Sequence, residues 1–499
     1  MRSANLLQSR RAAYLACLLL SACALGPKGT APAMPQPTHY GVEASPAEAG
    51  AAGAVQHFAL GARPVPQWWR DYRSDTLNAW VDEALRQNYS LAQATHNLAG
   101  AREQLRAQVG ESLLPSIDAG GQTNRQRALG LPNLGPQTNL YNLFAGQIQA
   151  SYTFDLFGAA RFANSALAAQ VDAESFQLDA ARRALAANLV TAAINAAALH
   201  AQVDATERLV ALADSDTDEA QRRYQLGAAS RDDLLSAQAS ADALRATLPG
   251  LRTQWQASRH ALAVLMGRTP DAAPADLDLA SLSLPDTVPI AVPSELLKQR
   301  PDVLAADAAL KAAAAQVAVA TADLFPSLSI TGSFGQAGFT FPSAVGAAGA
   351  VWSMGASLTQ PLFHGGALLA KRRAAQDAYQ AALDNYRQTV LNAFQNVADS
   401  LSALTHDADT QSAAANARDH SAQYWRDTAR RAAVGAVPQS AVRASEKQYQ
   451  NAYLSEIRAN SARLTDTAAL FQAMGILPGD RNHDALGVAA AVPAQNAAQ

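Results

Sequence analysis

The chain has few cysteines, aromatic residues and charges. Only Cys17 and Cys23 occur among its 499 residues, both near the N-terminus. The body of the protein therefore has neither a disulfide framework nor a cysteine-based zinc site. Aromatic residues make up 6% and charged residues 16% of a sequence that is 49% hydrophobic. Because much of the apolar half is alanine, the composition favours closely packed helices. The formal net charge of -3 gives no reason to expect a nucleic-acid partner.

Motifs for catalysis and metal binding are also lacking. The histidines are scattered without metal-ligand spacing, and neither a Gly-x-Ser-x-Gly motif nor a Walker-type loop occurs. Asp214, Asp216 and Asp218 imitate the opening of a calcium loop, but Glu219 stands where that loop needs glycine. We therefore interpret these aspartates as a solvated acidic helix face, and we predict that the protein is not an enzyme and has no cofactor.

The N-terminal segment predicts export and lipidation. Arginines at positions 2, 10 and 11 precede the apolar run 12–20, which suits a secretory signal and is too short to span a bilayer. The run ends in Leu20-Ser21-Ala22-Cys23, an order typical of a lipobox. We predict a signal peptide at 1–22, a lipid on Cys23 and sorting to the outer membrane, because Ala24 rather than aspartate follows the cysteine. An ordinary signal peptide is the alternative.

The remaining chain contains two copies of one module. Short motifs recur in the same order, most of them 208 residues apart, and this indicates a tandem duplication. The matched pairs are Gly158 and Gly366, Arg222-Arg223 and Arg430-Arg431, Met266-Gly267 and Met474-Gly475, and Leu114-Pro115-Ser116 and Phe325-Pro326-Ser327. We predict a lipidated linker at 23–66, a first repeat at 67–266, a proline-rich linker at 267–293, a second repeat at 294–477 and a flexible tail at 478–499.

Long helices dominate both repeats. Apolar residues spaced by seven indicate a coiled-coil seam in the first helix of each copy, at Leu91, Leu98 and Leu105 and at Val303, Leu310, Val317 and Leu324. Later, residues 159–226 and 367–434 contain neither glycine nor proline. A helix of that length measures about 100 Å. Each run ends at a glycine, Gly227 or Gly435, which suits the reversal into a returning helix. Ser230 with Asp233 resembles a capping box, and Pro438 suits the first turn of the second returning helix.

Between those helices the hydrophobic period changes to two. Residues 147–154 and 352–359 alternate apolar with polar side chains. This pattern predicts strands at about 147–156 and 350–359, with partners at about 117–126 and 328–335. No later stretch has eighteen uninterrupted apolar residues, so the sequence predicts no transmembrane helix.

Four strands cannot close a membrane barrel alone, since single-chain barrels begin at eight strands. An open sheet in lipid leaves its edge groups without hydrogen bonds. Either the strands do not cross the membrane, or several chains share one barrel. Three chains would give twelve strands and a pore.

Several motifs resemble those of the outer membrane factor family of TolC- and OprM-type channels, in particular its NodT-like lipoprotein branch. They are Gln67-Trp68-Trp69, Leu113-Leu114-Pro115-Ser116, Arg223-Tyr224-Gln225-Leu226-Gly227, Leu297-Lys298-Gln299-Arg300-Pro301-Asp302-Val303, Ala322-Asp323-Leu324-Phe325-Pro326-Ser327-Leu328 and Pro361-Leu362-Phe363. Because Trp68 and Trp69 precede a helix and not a strand, we interpret them as packing anchors and not as membrane-belt aromatics.

The resemblance implies a mainly α chain with a membrane β-barrel portion and a tandem-duplicated module. A long coiled-coil α-barrel would join four strands per chain, which contribute to a trimeric twelve-stranded barrel. The implied function is passive conduction of drugs or other small toxic compounds through the outer membrane. The implied partners are a periplasmic adaptor, an inner-membrane efflux pump and outer-membrane lipid. The alternative is a lipid-anchored periplasmic coiled-coil protein without channel activity, which leaves the alternating strands without a role.

The resemblance also implies two sets of site residues near the long-helix reversals. The tips that would dock the adaptor are Leu226, Gly227, Val434 and Gly435. The candidates for a closed periplasmic gate are Asp232, Asp233, Arg443 and Glu446. Ala444 stands where the family often has aspartate. We therefore predict that Arg443 pairs with Asp232 or Asp233 on an adjacent helix; an ordinary solvated charge cluster is the alternative.

Overall fold

The computed structural model describes residues 26–35, 37–42, 48–50, 55–62, 66–129, 138–346 and 349–475. The predicted signal peptide, Cys23 and the C-terminal tail lie outside these residues. The helices are α1 Asp75–Gln87, α2 Tyr89–Leu113, α3 Ala159–Gln225, α4 Arg231–Leu265, α5 Pro293–Gln299, α6 Pro301–Ala322, α7 Phe341–Val345, α8 Ala367–Ala433 and α9 Gln439–Met474. The strands are β1 Glu48–Ala49, β2 Gln56–Leu60, β3 Ser116–Leu129, β4 Thr138–Phe154, β5 Thr287–Ile290, β6 Ser327–Gly338 and β7 Ala350–Thr359.

The chain divides into two compact units. The first unit contains 95–176 and 305–389 together with the described residues before 35, and it holds an antiparallel sheet of order β3-β4-β6-β7. β4 begins at Thr138, well before the predicted residue 147, because its ladder with β3 continues to the pair Leu129 and Thr138. The short helix α7 between β6 and β7 was not predicted. Thr340 caps it and Pro342 occupies its first turn.

The register of this sheet separates apolar from polar side chains, as the alternation predicts. Ile148 lies opposite Phe334, and Phe334 lies opposite Trp352, so these three share one face. All three are exposed within the chain, Trp352 by 77%. The other face carries hydroxyl pairs between strands, such as Ser116 with Ser151 at 2.8 Å. One face of the sheet is therefore apolar and uncovered, and the other is polar.

A cavity of about 690 Å³ lies where these strands meet the helices of the first unit. Its lining includes Leu114, Phe157, Phe325 and Leu362, which come from the motifs that recur in both repeats. Phe157 and Phe325 stack with their ring centres 4.8 Å apart. The recurring Leu-Pro-Ser and Leu-Phe motifs thus form the junction between strands and helices.

The second unit contains the described residues of 35–94, 177–304 and 390–475. Trp68 and Trp69 are buried in it, and Trp68 stacks on Phe471 of α9 at 5.2 Å. The interpretation of both tryptophans as packing anchors is confirmed. The Tyr72 hydroxyl donates to the carbonyl of Leu464 at 2.8 Å, which fixes the same segment to α9.

Both proline-rich linkers contribute strands to the second unit. β2 lies in the first linker and β5 in the second, and they pair in parallel from His57 with Thr287 to Leu60 with Ile290. β1 completes a sheet of order β1-β2-β5. The sequence interpretation of both segments as extended linkers missed this sheet, because its strands are short and pair over more than two hundred residues of chain.

The motif around Arg300 closes the C-terminal end of α9. The buried Arg300 guanidinium donates to the carbonyl of Ala473 at 2.8 Å and to both carboxylate oxygens of Asp302. Arg183 donates to the preceding carbonyl of the same helix, that of Gln472, at 2.7 Å. Carbonyls in the last turn of a helix lack partners within the helix, and its dipole there favours cations. These arginines therefore have a structural role.

Within the part of the chain that the structure describes, two helices, α3 and α6, are long and apolar enough to cross a membrane by length and composition. The sequence predicted no such helix because no stretch has eighteen consecutive apolar residues. The mean hydropathy of a window can still be high when a few polar residues are scattered within it. About half of each apolar window is buried within the chain. Buried helices of a protein core pass the same test, so this finding alone does not make either helix a membrane span.

Candidate functional site

The two longest helices end in the same backbone motif. α3 ends at Gln225 and α8 at Ala433, and the glycine two residues later has a φ of 70° at Gly227 and 78° at Gly435. Two hydrogen bonds close each turn in the pattern of a Schellman motif, which satisfies carbonyls left free at a helix end. In each bond a backbone N–H donates to a backbone carbonyl: Gly227 to Tyr224 (3.0 Å) and Ala228 to Arg223 (2.7 Å) in the first turn, and Gly435 to Ala432 (3.0 Å) and Ala436 to Arg431 (2.9 Å) in the second. The predicted reversals are confirmed.

Each turn presents an apolar side chain to solvent. Leu226 is 83% exposed and Val434 is 80% exposed. Exposed apolar residues at the end of a long hairpin are typical of a contact surface when they cluster. The structure therefore places the four predicted docking residues at two equivalent turns, and their contact with an adaptor remains a prediction.

The acidic residues after the first turn belong to the start of α4. Ser230 accepts from the N–H of Asp233 at 3.0 Å, and Asp233 accepts from the N–H of Ser230 at 3.0 Å, so the predicted capping box is present. The hydroxyl of Ser230 also donates to the carboxylate of Asp233 at 2.8 Å, and this hydrogen bond together with the one from the Ser230 N–H lowers the pKa of Asp233. Asp232 is exposed to solvent. At the second turn Pro438 is the N-cap of α9, one residue before the position expected for it.

Arg443 joins α9 to α3 through two carboxylates. Its Nε donates to Asp216 and its Nη2 donates to Glu219, while Lys447 donates to the second oxygen of Asp216. The Arg443 side chain is only 18% exposed. These four residues are called the Arg443 cluster below.

The charges of the Arg443 cluster stabilise one another. Burial raises the pKa of Asp216, but hydrogen bonds from Lys447 and Arg443 outweigh it, so the pKa lies below its ordinary value. Burial lowers the pKa of Arg443, and the hydrogen bonds to Asp216 and Glu219 more than reverse that effect. Asp216 and Arg443 are therefore both charged at neutral pH.

Glu446 forms a second link between the same two helices. Its side chain is 7% exposed and lies 2.5 Å from the Nη2 of Arg208 on α3. Further from the turns, the Nε of Arg458 on α9 donates to Gln202 on α3 at 3.1 Å. Polar contacts between α3 and α9 thus recur over several helical turns.

The predicted pairing of Arg443 with Asp232 or Asp233 is wrong. Asp233 is occupied by the cap of α4, and Arg443 reaches the acidic face of α3 instead. Glu219 lies eight residues before Gly227, and Arg443 lies eight residues after Gly435. Because each residue is eight positions from its turn, each lies about 12 Å along its helix from that turn. That count is visible in the sequence, but it indicates the correct partner only once α9 is known to pack against α3.

The interpretation of the nearby aspartates as a solvated face is also wrong for two of them. Asp216 belongs to the Arg443 cluster, and Asp214 pairs with Arg245 of α4 at 2.5 Å. Asp218 is exposed. The acidic side of α3 therefore contacts both α4 and α9. Among the residues that the structure describes, no group of three or more His, Cys, Asp and Glu could hold a metal ion.

One further titratable residue, Asp407, has no local motif that marks it in the sequence. Asp407 of α8 lies beside Asp466 of α9, and burial followed by the hydrogen bond and charge of Asp466 raises the pKa of Asp407 to about 6. The charges of Arg463 and His406 oppose this rise. Asp407 therefore titrates in the mildly acidic range.

Residues 80–268 and 292–476 each match the family model described as outer membrane efflux protein. Nodulation protein T of Rhizobium leguminosarum bv. viciae is 29% identical over 81% of this chain and 80% of its own length. Outer membrane protein OprJ of Pseudomonas aeruginosa is 30% identical over 78% of this chain and 80% of its own length.

A solved outer membrane channel has a similar fold. The open state of the Neisseria gonorrhoeae MtrE outer membrane channel superposes with a TM-score of 0.71 at 27% identity. The similarity covers 89% of this chain and 98% of that one. The two matched segments of the family model follow one another along the chain as the two sets of long helices do.

Proposed function

The chain belongs to the outer membrane efflux protein family, and from this premise we propose that three copies form one channel across the outer membrane. The channel would receive its cargo from a periplasmic adaptor and an inner-membrane pump and conduct it passively to the exterior. The predicted fold class is confirmed: the chain is mainly α, carries a duplicated module, and contributes four strands to the barrel fold of these channels.

The single observation that carries the proposal is the four-stranded sheet with one apolar and one polar face. Among the described residues its outer strands β3 and β7 each have a strand partner on one side only. Lipid offers no hydrogen bonds to such edges, so several chains must close the sheet on itself. Two chains would give eight strands, whose side chains fill the lumen, whereas three give twelve and leave a pore.

The two faces of the sheet suit opposite surroundings. The face of Ile148, Phe334 and Trp352 would contact lipid, and the face of Ser116 and Ser151 would line water. A periplasmic structural protein without channel activity has no use for this division. The cargo would be drugs or other small toxic compounds, in keeping with the family to which the chain belongs.

The links between α3 and α9 are our candidate for the gate. The Arg443 cluster and the Arg208–Glu446 pair hold the two helices together within about two to five helical turns of their reversals. An adaptor that docks on Leu226 and Val434 would act next to these links. Separating α3 from α9 would break them together, so the links favour the closed state without making it permanent.

The lipid on Cys23 would anchor the chain beside the strands. Gly26 and Gly29 are the first glycines of the described chain and lie against α6. A Cβ at Gly26 would stand 2.9 Å from the Cβ of Ala318, and one at Gly29 would stand 2.9 Å from that of Ala314. Residues 26–29 therefore pack closely on α6.

The proposal is tested by the mass of the protein extracted from outer membranes in mild detergent. Native mass spectrometry should give three chains, each carrying the mass of its lipid. A monomer that stays folded in detergent would contradict the shared barrel. Extraction from the inner membrane or recovery without detergent would contradict the location.

A further inference from the structure

The two hairpins of the membrane sheet carry almost no charge. Residues 116–154 contain Asp118, Arg125 and Arg127 as their only acidic or basic residues, and residues 327–360 contain none. Asp118 pairs with Gln149 and belongs to the polar face. Arg125 pairs with Asn142 and Arg127 with Leu140, so both belong to the face of Ile148. The two cations therefore share the apolar face, and the one acidic residue of their strand, Asp118, lies on the other face.

Both arginines lie near the end of the sheet that is far from the long helices. Arg125 is nine residues from the start of β3 at Ser116, which corresponds to about 30 Å of strand. In a barrel whose strands tilt by about 40°, this is a height of about 23 Å, close to the top of an apolar band about 25 Å tall. Arg125 and Arg127 therefore lie at the outer boundary of that band, where a guanidinium is tolerated.

An open groove lies directly below them on the same face. Gly121 and Gly146 face each other across β3 and β4. A Cβ at Gly146 would meet no atom within 4 Å, and one at Gly121 would meet only the carbonyl of Ala145 at 3.8 Å. No contact within the chain therefore requires these glycines. Their missing side chains leave a space of about 500 Å³ that Ile148 and Phe334 border.

The helix α7 extends this groove towards the arginines. Phe341 of α7 contacts Phe144 edge to face at 6.1 Å, and the helix encloses a further space of about 680 Å³ together with Gly121 and Gly146. With its amide oriented to donate, Gln336 reaches the carbonyl of Ala344 at 2.8 Å and fixes the end of α7. The groove is thus largely apolar, and Thr123 at its edge is two residues from Arg125 on the same face of β3.

We propose that this groove binds an acyl chain of the phosphorylated, multiply acylated glycolipid of the outer leaflet, and that Arg125 and Arg127 bind its phosphates. The arginines stand about 7 Å apart along the strand, so one anionic headgroup can contact both. The groove size lies in the range of ligand-binding clefts. The inference rests on the proposed placement of the sheet in the outer membrane.

The test uses the purified trimer and bisphosphorylated hexa-acyl lipid A as the probe, with binding measured by native mass spectrometry. The double variant Arg125→Gln/Arg127→Gln changes only exposed side chains and should weaken binding about tenfold or more. Gly146→Leu should also weaken binding, because it fills the groove. The matched control is Gly355→Leu on the polar face of β7, where an added Cβ would meet the hydroxyl of Thr331 at 3.9 Å, and it should bind like wild type.

Two results would overturn the proposal: unchanged lipid A binding by the double variant, or equal affinity of the wild type for phosphatidylglycerol vesicles. Channel conductance of the same samples separates this inference from the proposed function. Normal conductance with lost lipid A binding in the double variant supports the groove. A wild type that binds lipid A but never conducts would contradict the channel and leave the groove in place.

Discussion

Replacing Arg443 by methionine should open the channel, because the variant keeps the aliphatic bulk and removes both ion pairs with α3. Arg443 is 18% exposed and its two partners are about 30% exposed, so the pairs lie between the surface and the core. Exposed pairs contribute about 0–1 kcal/mol, and breaking a buried one costs about 3–5 kcal/mol. We therefore expect a loss of about 1–2 kcal/mol per chain in the closed state.

Three chains in one trimer make the total about 3–6 kcal/mol, if all three clusters break when the gate opens. A change of 1.4 kcal/mol is tenfold in an equilibrium constant, so the open population should rise by at least about a hundredfold. Single-channel recording in planar bilayers measures this directly. Cells that express the variant should also become sensitive to large antibiotics that the outer membrane normally excludes.

The matched controls separate the links from general loss of charge. Asp232→Asn removes an exposed charge beside the first turn and should leave the conductance unchanged. Arg430→Met removes an exposed arginine whose nearest carboxylate, Asp427, lies on the same helix. Glu219→Gln combined with Arg443→Met should add little to the single change, because the two residues share one contact. Wild-type conductance in Arg443→Met would refute the gate, and so would an equal rise in Asp232→Asn.

The cluster also predicts how the gate responds to acid. The pKa of Asp216 is lowered in the folded chain, so its ion pairs contribute stability above the ordinary value of 3.8 and lose it as pH falls through the lower folded value. The closed state should therefore persist from neutral pH down to about pH 4 and weaken only below it.

Three further predictions concern the lipid, the strands and the carboxyl pair. Cys23→Ser should abolish metabolic labelling with palmitate, and labelling that persists would refute the anchor. Ala150→Arg places a charge on the apolar face, which should destabilise the trimer by about 2–4 kcal/mol and so lower the yield of folded trimer. Ser151→Arg on the polar face should mainly change conductance. The reverse result would mean that the apolar face does not contact lipid. Because the pKa of Asp407 is raised to about 6 in the folded chain, stability should fall as pH rises from about 4 to 6. Asp407→Asn should remove that slope and, after allowance for solvent screening, stabilise the protein by about 1 kcal/mol at pH 7, as measured by thermal unfolding.

Features that depend on local chemistry were predictable from the sequence. A glycine-free run that ends in one glycine predicts a long helix and its reversal, and Gly227 and Gly435 close their turns as expected. Alternation predicts the faces of β4 and β7, because each side chain of a strand points opposite to its neighbour. The capping box of Ser230 and Asp233 depends on residues three apart and was likewise visible.

Features that depend on contacts distant in the chain were not. β2 and β5 are too short to show a period, and each gains its stability from the other. Asp232 and Asp233 follow the first turn much as Arg443 follows the second, which favoured them as its partners. In the folded chain α3 lies beside Arg443 instead and offers two carboxylates. The helix α7 is set by its capping residues and by contact with Phe144, a residue nearly two hundred positions earlier. Such contacts follow from the packing of complete helices and strands.

The central claim, that three copies of this chain form a water-filled channel, is tested most directly by conductance of the purified protein in a planar bilayer. We expect discrete conductance steps from the trimer that rise in the Arg443→Met variant and vanish when the trimer is dissociated before reconstitution. A purified trimer that inserts into the bilayer but shows no steps, in either the wild type or Arg443→Met, would contradict the claim.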